Sequence, residues 1–215
     1  MEREDAYVTK TMQVLSRIPT NQKIVALTFD IANGHDVPQR MLPLLRKLGV
    51  NKATFFITGI WAEEHPRIAK RLRQRGYEIA SHGYRHQDYR KHNNTWIENE
   101  VKLAQKAIMR STGVWPRLFR TPGGDMNRRV IHKLHSMNQT IVHWDVDSLD
   151  WKLTRINTIV NRVVPYTRPG SIILLHANDP WDQSLKAVSI IVGKLRRKGY
   201  RFATVSELLR QWQTL

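Results

Sequence analysis

The run Lys23-Ile24-Val25-Ala26-Leu27-Thr28-Phe29 is apolar at nearly every position, and it stops at Asp30. An apolar run of that length without alternation predicts a strand buried on both faces, as in a parallel sheet. Behind it, Met41, Leu44, Leu45 and Leu48 recur at helical spacing and Gly49 closes the pattern, which predicts a helix from Val37 to Leu48. The alternation then repeats. Residues 53–57 read as a strand, 66–75 as a helix closed by Gly76, and 77–80 as a strand. The longest helix is expected over 95–111, with Thr95 as its cap and Glu98 at its third position. Helical patterns follow at 128–137, 155–164 and 184–198, then a strand at 201–205 and a helix at 207–212. Strands and helices alternating at these lengths predict an α/β fold, a parallel barrel-like sheet wrapped in helices. Residues 1–22 read as an N-terminal extension, with Pro19-Thr20-Asn21 as a turn, and residues 23–215 as one domain with no internal repeat.

The polar residues that follow the apolar runs carry the candidate chemistry. Asp30 stands at a strand's exit, followed by Ile31-Ala32-Asn33-Gly34-His35-Asp36. After 77–80 come His82 and His86, four apart, a spacing that puts two imidazoles on one face of a helical turn where both can reach one divalent ion. Leu118-Phe119 leads into Arg120-Thr121-Pro122-Gly123-Gly124, where proline and glycines expose backbone N–H groups beside a cation. Thr140 to Trp144 leads into Asp145-Val146-Asp147-Ser148-Leu149-Asp150-Trp151, and Ser171 to Leu175 ends in His176. Taken singly, each has an ordinary structural explanation: a cap, a turn, a packed histidine. Taken in series they have another, because reactive groups at the carboxyl ends of consecutive strands are how barrel-type α/β enzymes assemble one site.

Composition narrows the picture. The chain has 215 residues, 41% of them hydrophobic, enough for one full core, and no cysteine, which excludes disulfides and thiolate metal sites. No stretch approaches the roughly 20 apolar residues of a membrane span, and Met1 to Asp5 is too acidic for a signal peptide. Thirty-five Lys and Arg against 18 Asp and Glu give a net charge of +17, which points to a polyanionic partner or to a solvated surface. The basic residues concentrate at 67–75, 117–133 and 194–201, mostly at helical spacing. No zinc-finger, helix-turn-helix or RNA-binding motif accompanies them, and they are not interleaved with stacking aromatics, which argues against nucleic acid.

The ordered set of motifs resembles the polysaccharide deacetylases that share the NodB homology domain, carbohydrate esterase family 4. Thr28-Phe29-Asp30 is similar to the start of the family's Thr-Phe-Asp-Asp-Gly motif, and His82 to His86 to its His-(Ser/Thr)-x-x-His metal motif. Arg120-Thr121-Pro122-Gly123 resembles the Arg-x-Pro motif, Asp147 to Trp151 the Asp-Trp motif, and Leu174-Leu175-His176 the Leu-x-His motif. The resemblance covers residues 23–211 and implies a distorted (β/α) barrel of about seven parallel strands. It also implies hydrolysis of the N-acetyl group of an N-acetylglucosamine-type polysaccharide, peptidoglycan or chitin-like, with release of acetate. The alternative it leaves open is a carbohydrate-binding relative with impaired catalysis.

Residue by residue, the resemblance implies a divalent metal, zinc with cobalt or manganese as alternatives, on His82 and His86, and Asp30 as general base held by Arg120. The N–H of Gly123 beside Pro122 would stabilise the oxyanion, and His176, oriented by Asp150, would protonate the leaving amine. Trp151 and Leu174 would receive the acetyl methyl. The implied partners are N-acetylated polysaccharide and anionic cell-wall polymers, and the implied location is extracytoplasmic or wall-associated in a bacterium. Two positions depart from the pattern. Ile31 stands where the family has its carboxylate metal ligand, and two extra residues precede Gly34, a variant similar to that of a sporulation-associated subgroup. Asn33, His35 and Asp36 are then the candidates for a replacement ligand. Gly83 stands where Ser or Thr is usual, removing a hydroxyl expected to hold the second histidine's loop.

Overall fold

The computed structural model of the protein describes residues 13–213; residues 1–12 of the expected extension, the acidic Met1 to Asp5 included, lie outside the described residues. All eight side chains of β1 (Ile24–Ile31) are buried, which accounts for its unbroken apolar sequence. Val25, Leu27, Phe29 and Ile31 pack outward against the helices, while Ile24 and Ala26 face an inner cluster with Phe56, Ala80, Leu118, Val142 and Ile172. Because side chains alternate along a strand, Asp30 belongs to that inner face and Ile31 does not.

The chain continues through α1 (Asp36–Lys47), β2 (Thr54–Ile57), α2 (Gly59–Glu64), α3 (Pro66–Gln74) and β3 (Glu78–Ser81). Next come α4 (Asn94–Thr112), β4 (Leu118–Phe119), α5 (Arg128–Ser136), β5 (Thr140–Ile141) and β6 (Val146–Asp147). The last part is α6 (Ile156–Val163), β7 (Ile172–His176), α7 (Gln183–Arg197), β8 (Arg201–Ala203) and α8 (Val205–Gln213). Seven parallel strands run in the order β5-β4-β3-β2-β1-β7-β6, the curled barrel expected from the alternation. The eighth, β8, pairs with Ile24 to Ala26 of β1, below the point where β2 pairs with Thr28 to Ile31. Asp30 and His176 are direct register partners across β1 and β7, so the sheet itself sets them side by side.

Among the described residues β5 and β6 do not pair, and the gap is filled by the stretch read from sequence as an extension. Leu15 bridges Val142, Arg17 bridges Ser171, and the Ile18 N–H donates to the Gly170 carbonyl at 3.0 Å. Leu15 and Ile18 are buried, with Ile18 in the inner cluster.

One local expectation is corrected and one element is added. The long helix is capped by Asn93, whose side chain accepts from the Trp96 N–H at 2.9 Å, leaving Thr95 inside the helix and freeing Glu98 to pair with Lys102 and Lys133. The short helix α2, absent from the sequence reading, is nucleated by the Thr58 side chain, which accepts from the Trp61 N–H.

Candidate active site

Asp30, His82, His86, Gly123, Trp151, Leu174 and His176 line one cavity of about 480 Å³ at the carboxyl ends of the strands, together with Trp144, Asp147, Asn178 and Trp181. Arg120 and Asp150 stand fully buried behind it, and buried Pro122 sets the turn that presents Gly123.

Arg120 follows β4 directly. Its guanidinium donates to Asp30 Oδ1 at 2.7 Å and to the carbonyls of Val142 and His143, and it lies 4.1 Å over the Phe56 ring. Burial pushes the Asp30 carboxyl up, but Arg120, His82 and His176 outweigh it and hold the group below its ordinary value, so it stays ionised. Its other oxygen, Oδ2, lies 3.7 Å from His82 Nε2.

His82 donates from Nδ1 to the Arg120 carbonyl at 3.0 Å, which fixes the tautomer and leaves an unprotonated Nε2 facing Asp30. Burial, opposed by Asp30, pushes its pKa down to about 4, and burial also lowers that of His86. The two rings sit 5.1 Å apart between centroids. They meet by a different route from the helical turn expected, since residues 82–88 form an irregular loop beyond β3. Gly83 begins it with φ +78°, and a Cβ there would lie 2.5 Å from the Tyr89 hydroxyl oxygen, so serine or threonine does not fit. The loop is anchored from α4 instead. The buried Glu100 carboxylate accepts the Arg85 N–H at 2.8 Å and pairs with the Arg85 guanidinium.

His176 is the last residue of β7. Its Nδ1 and backbone N–H both bond Asp150, at 2.7 and 2.9 Å, and the Ser184 hydroxyl completes the carboxylate at 2.6 Å. Burial works against a charged ring, but the bond to Asp150 and that residue's charge win, so the imidazole titrates above its ordinary value. Trp181 stands edge-on to it, ring centroids 5.3 Å apart. Trp151, 45% exposed, offers an open aromatic face, while Leu174 is buried.

The loop that separates Asp30 from α1 is clamped to the segment after His176. Asn178 Oδ1 accepts the N–H groups of Ala32 and Asn33 at 2.7 and 3.0 Å, and its Nδ2 donates to the Asp30 carbonyl at 3.3 Å. The Asp179 carboxylate accepts from His35, Asp36 and Val37 at 2.7–3.0 Å, capping α1. Gly34 at φ +90° passes so close that a Cβ would meet the Asp179 backbone nitrogen at 2.5 Å. Held this way, the loop presents Asn33 to the cavity and turns His35 and Asp36 out, their side chains 55% and 79% exposed and bonded to each other. The two ionisable candidates for a replacement ligand are thus excluded by the clamp. Sequence reasoning missed Glu100, Asn178 and Asp179. Glu100 had a signal, a carboxylate on the buried stripe of Ile97, Val101, Ala104 and Ile108, whereas Asn178-Asp179 before Pro180 reads as an ordinary turn.

The donors facing the cavity decide what metal chemistry fits. Among the described residues no group of three or more His, Cys, Asp or Glu side chains is arranged to enclose an ion. Two neutral imidazoles, one with its free nitrogen fixed by the Arg120 carbonyl, fit a borderline divalent cation whose other positions are left to water and substrate.

A family model for polysaccharide deacetylases matches residues 17–142. The chain is 35% identical over 204 residues to the peptidoglycan-N-acetylglucosamine deacetylase of Bacillus cereus, covering 93% of this chain and 94% of that protein. It is 32% identical over 195 residues to YlxY, an uncharacterised protein of Bacillus subtilis, covering 91% of this chain but only 60% of that relative's length. Among solved structures, a CE4 family pseudoenzyme from Bacillus anthracis superposes with a TM-score of 0.85 at 29% identity, over 92% of this chain and 69% of that one. A mutant of that pseudoenzyme with restored enzymatic activity superposes equally well, at 0.85.

Proposed function

We propose, from the premise that the chain belongs to the polysaccharide deacetylase family, that it removes the N-acetyl group from an N-acetylglucosamine-type polysaccharide, peptidoglycan or chitin-like, at the bacterial wall. The observation that carries this reading is the pairing of Asp30 and His176 on adjacent strands, a carboxylate whose pKa is held below its ordinary value beside an imidazole whose pKa is held above its own, both on the same cavity.

In the reaction, Asp30 Oδ2 accepts a proton from water as the water oxygen bonds to the acetamide carbon. Arg120 keeps the carboxylate oriented and charged. The carbonyl oxygen gathers negative charge and meets the Gly123 N–H, since the turn's own bonds take the N–H groups of Gly124 and Asp125. The C–N bond then breaks as His176 Nε2–H protonates the amine, giving acetate and a free glucosamine; Asp150 holds the ring in that orientation. Zinc, or cobalt or manganese, on His82 and His86 would add Lewis acidity at the carbonyl and a more acidic water. Trp151, Trp144 and Trp181 give the sugar ring aromatic faces, and Leu174 gives the acetyl methyl an apolar wall.

Absence of a carboxylate in the metal ligand position, with the likeness to a pseudoenzyme, favours a second reading in which the cleft binds glycan without turnover. One experiment separates the two: acetate release from an N-acetylglucosamine oligomer by protein loaded with Zn²⁺, Co²⁺ or Mn²⁺, with glycan binding measured alongside. Acetate release that drops about 10²-fold or more in Asp30→Asn supports the enzyme. Glycan binding without acetate from any metal-loaded form supports the second reading.

A further inference from the structure

A second concavity, about 560 Å³, lies on the helical back of the barrel between α1 and α3, lined by Arg46, Lys47, Arg71 and Arg75 with Gln39, Leu42 and Pro43. No carboxylate lines it, and none of the four cations has an ion-pair or side-chain hydrogen-bond partner among the described residues. Other surface cations among the described residues are paired, as Lys52 is with Glu207 and Arg40 with Asp182, or stand singly, as Lys106 and Lys186 do; here four unpaired cations share one hollow.

The ordinary explanation for such residues is that they complement helix C-termini, since Arg46 and Lys47 end α1 and Arg71 and Arg75 end α3. Its magnitude is insufficient. Two helix ends supply about −0.5 charge each, so four cations leave about +3 uncompensated in one hollow. Like charges held together repel one another, and an anion entering the hollow relieves that repulsion. Three of the four are arginines, whose planar forks suit phosphate oxygens, and the hollow is open and large enough for successive groups of a polymer.

We infer that this groove docks a phosphodiester-linked anionic polymer of the cell envelope, while the cleft works on the glycan. The choice of an envelope polymer over nucleic acid rests on the glycan reading of the cleft. The placement suits docking. Arg46 and Lys47 stand at the end of α1 away from the Asn33 loop that lines the cleft, and the helix's twelve residues span about 18 Å, so a polymer seated on Arg46 and Arg71 leaves the cleft open.

The test compares Arg46→Glu/Arg71→Glu with a control, Lys106→Glu/Lys186→Glu, that removes the same charge from exposed positions elsewhere. Binding of a synthetic poly(glycerol phosphate) is titrated at about 0.15 M salt. The groove variant is expected to lose about tenfold or more in affinity, the control much less, and acetate release from a short neutral oligomer stays at the wild-type level in both. Equal losses in both variants, or none in either, overturn the groove. Tighter binding of a DNA duplex with the same dependence on Arg46 and Arg71 overturns the envelope polymer as its partner. Groove-dependent binding by a protein that releases no acetate leaves the groove standing and removes only the enzymatic reading.

Discussion

Ile31 occupies the residue where the resemblance expects a carboxylate ligand, yet its side chain is fully buried with Phe29, Leu27 and Val25 on the helix side of β1. Restoring an aspartate there directs it into the apolar core and away from the imidazoles. Ile31→Asp is therefore expected to cost about 3 kcal/mol or more in denaturant unfolding, with no gain in Zn²⁺ affinity by calorimetry. A variant that folds normally and binds zinc more tightly would show that the strand end turns over. His176 carries the second residue-scale expectation. Its pKa is raised above the ordinary 6.5 by Asp150, so activity is expected to fall as the pH rises through that raised value. The same sign holds for folding: the stabilisation from the His176–Asp150 pair is complete below pH 6.5 and is lost as pH rises through the folded value. Asp150→Asn is expected to move the alkaline limb of the pH–rate profile to lower pH and to lower kcat more than it raises KM. An unmoved limb would assign it to another group.

At the scale of elements, the loop between β1 and α1 and the segment after β7 act as one unit through Asn178 and Asp179. The unit explains why the inserted residues supply no metal carboxylate, because the backbone bonds that cap α1 also turn Asp36 outward. Asp36→Ala is accordingly expected to leave Zn²⁺ affinity within about twofold of wild type. Asn178→Ala is expected to release the Ala32 and Asn33 amides to hydrogen exchange and to lower kcat, with Asn178→Asp restoring much of the protection because it keeps the accepting oxygen. Protected amides in Asn178→Ala would show that the loop is held by its own turn. Glu100 does for the His86 loop what Asn178 does for the Asp30 loop, reaching the backbone from a neighbouring element.

At the scale of the whole molecule, the parallel sheet depends on a stretch outside the β/α pattern. Ile18 is 1% exposed and seals the interval between β5 and β6 with Leu15. Ile18→Ala is expected to destabilise the protein by about 2–5 kcal/mol in urea unfolding, a core-sized loss from a residue preceding the first strand. A loss below about 0.5 kcal/mol would mark the stretch as dispensable. The alternation of apolar runs and helical stripes was enough to determine the α/β class, the parallel sheet and the strand exits at Asp30, Arg120 and His176, because burial imposes its period on the sequence directly. Direction and partnership were decided only in three dimensions. Which face Ile31 takes, where Asp36 points, and which distant side chain satisfies a loop's N–H groups depend on contacts between residues as far apart as Ala32 and Asn178, and such contacts leave no period along the chain.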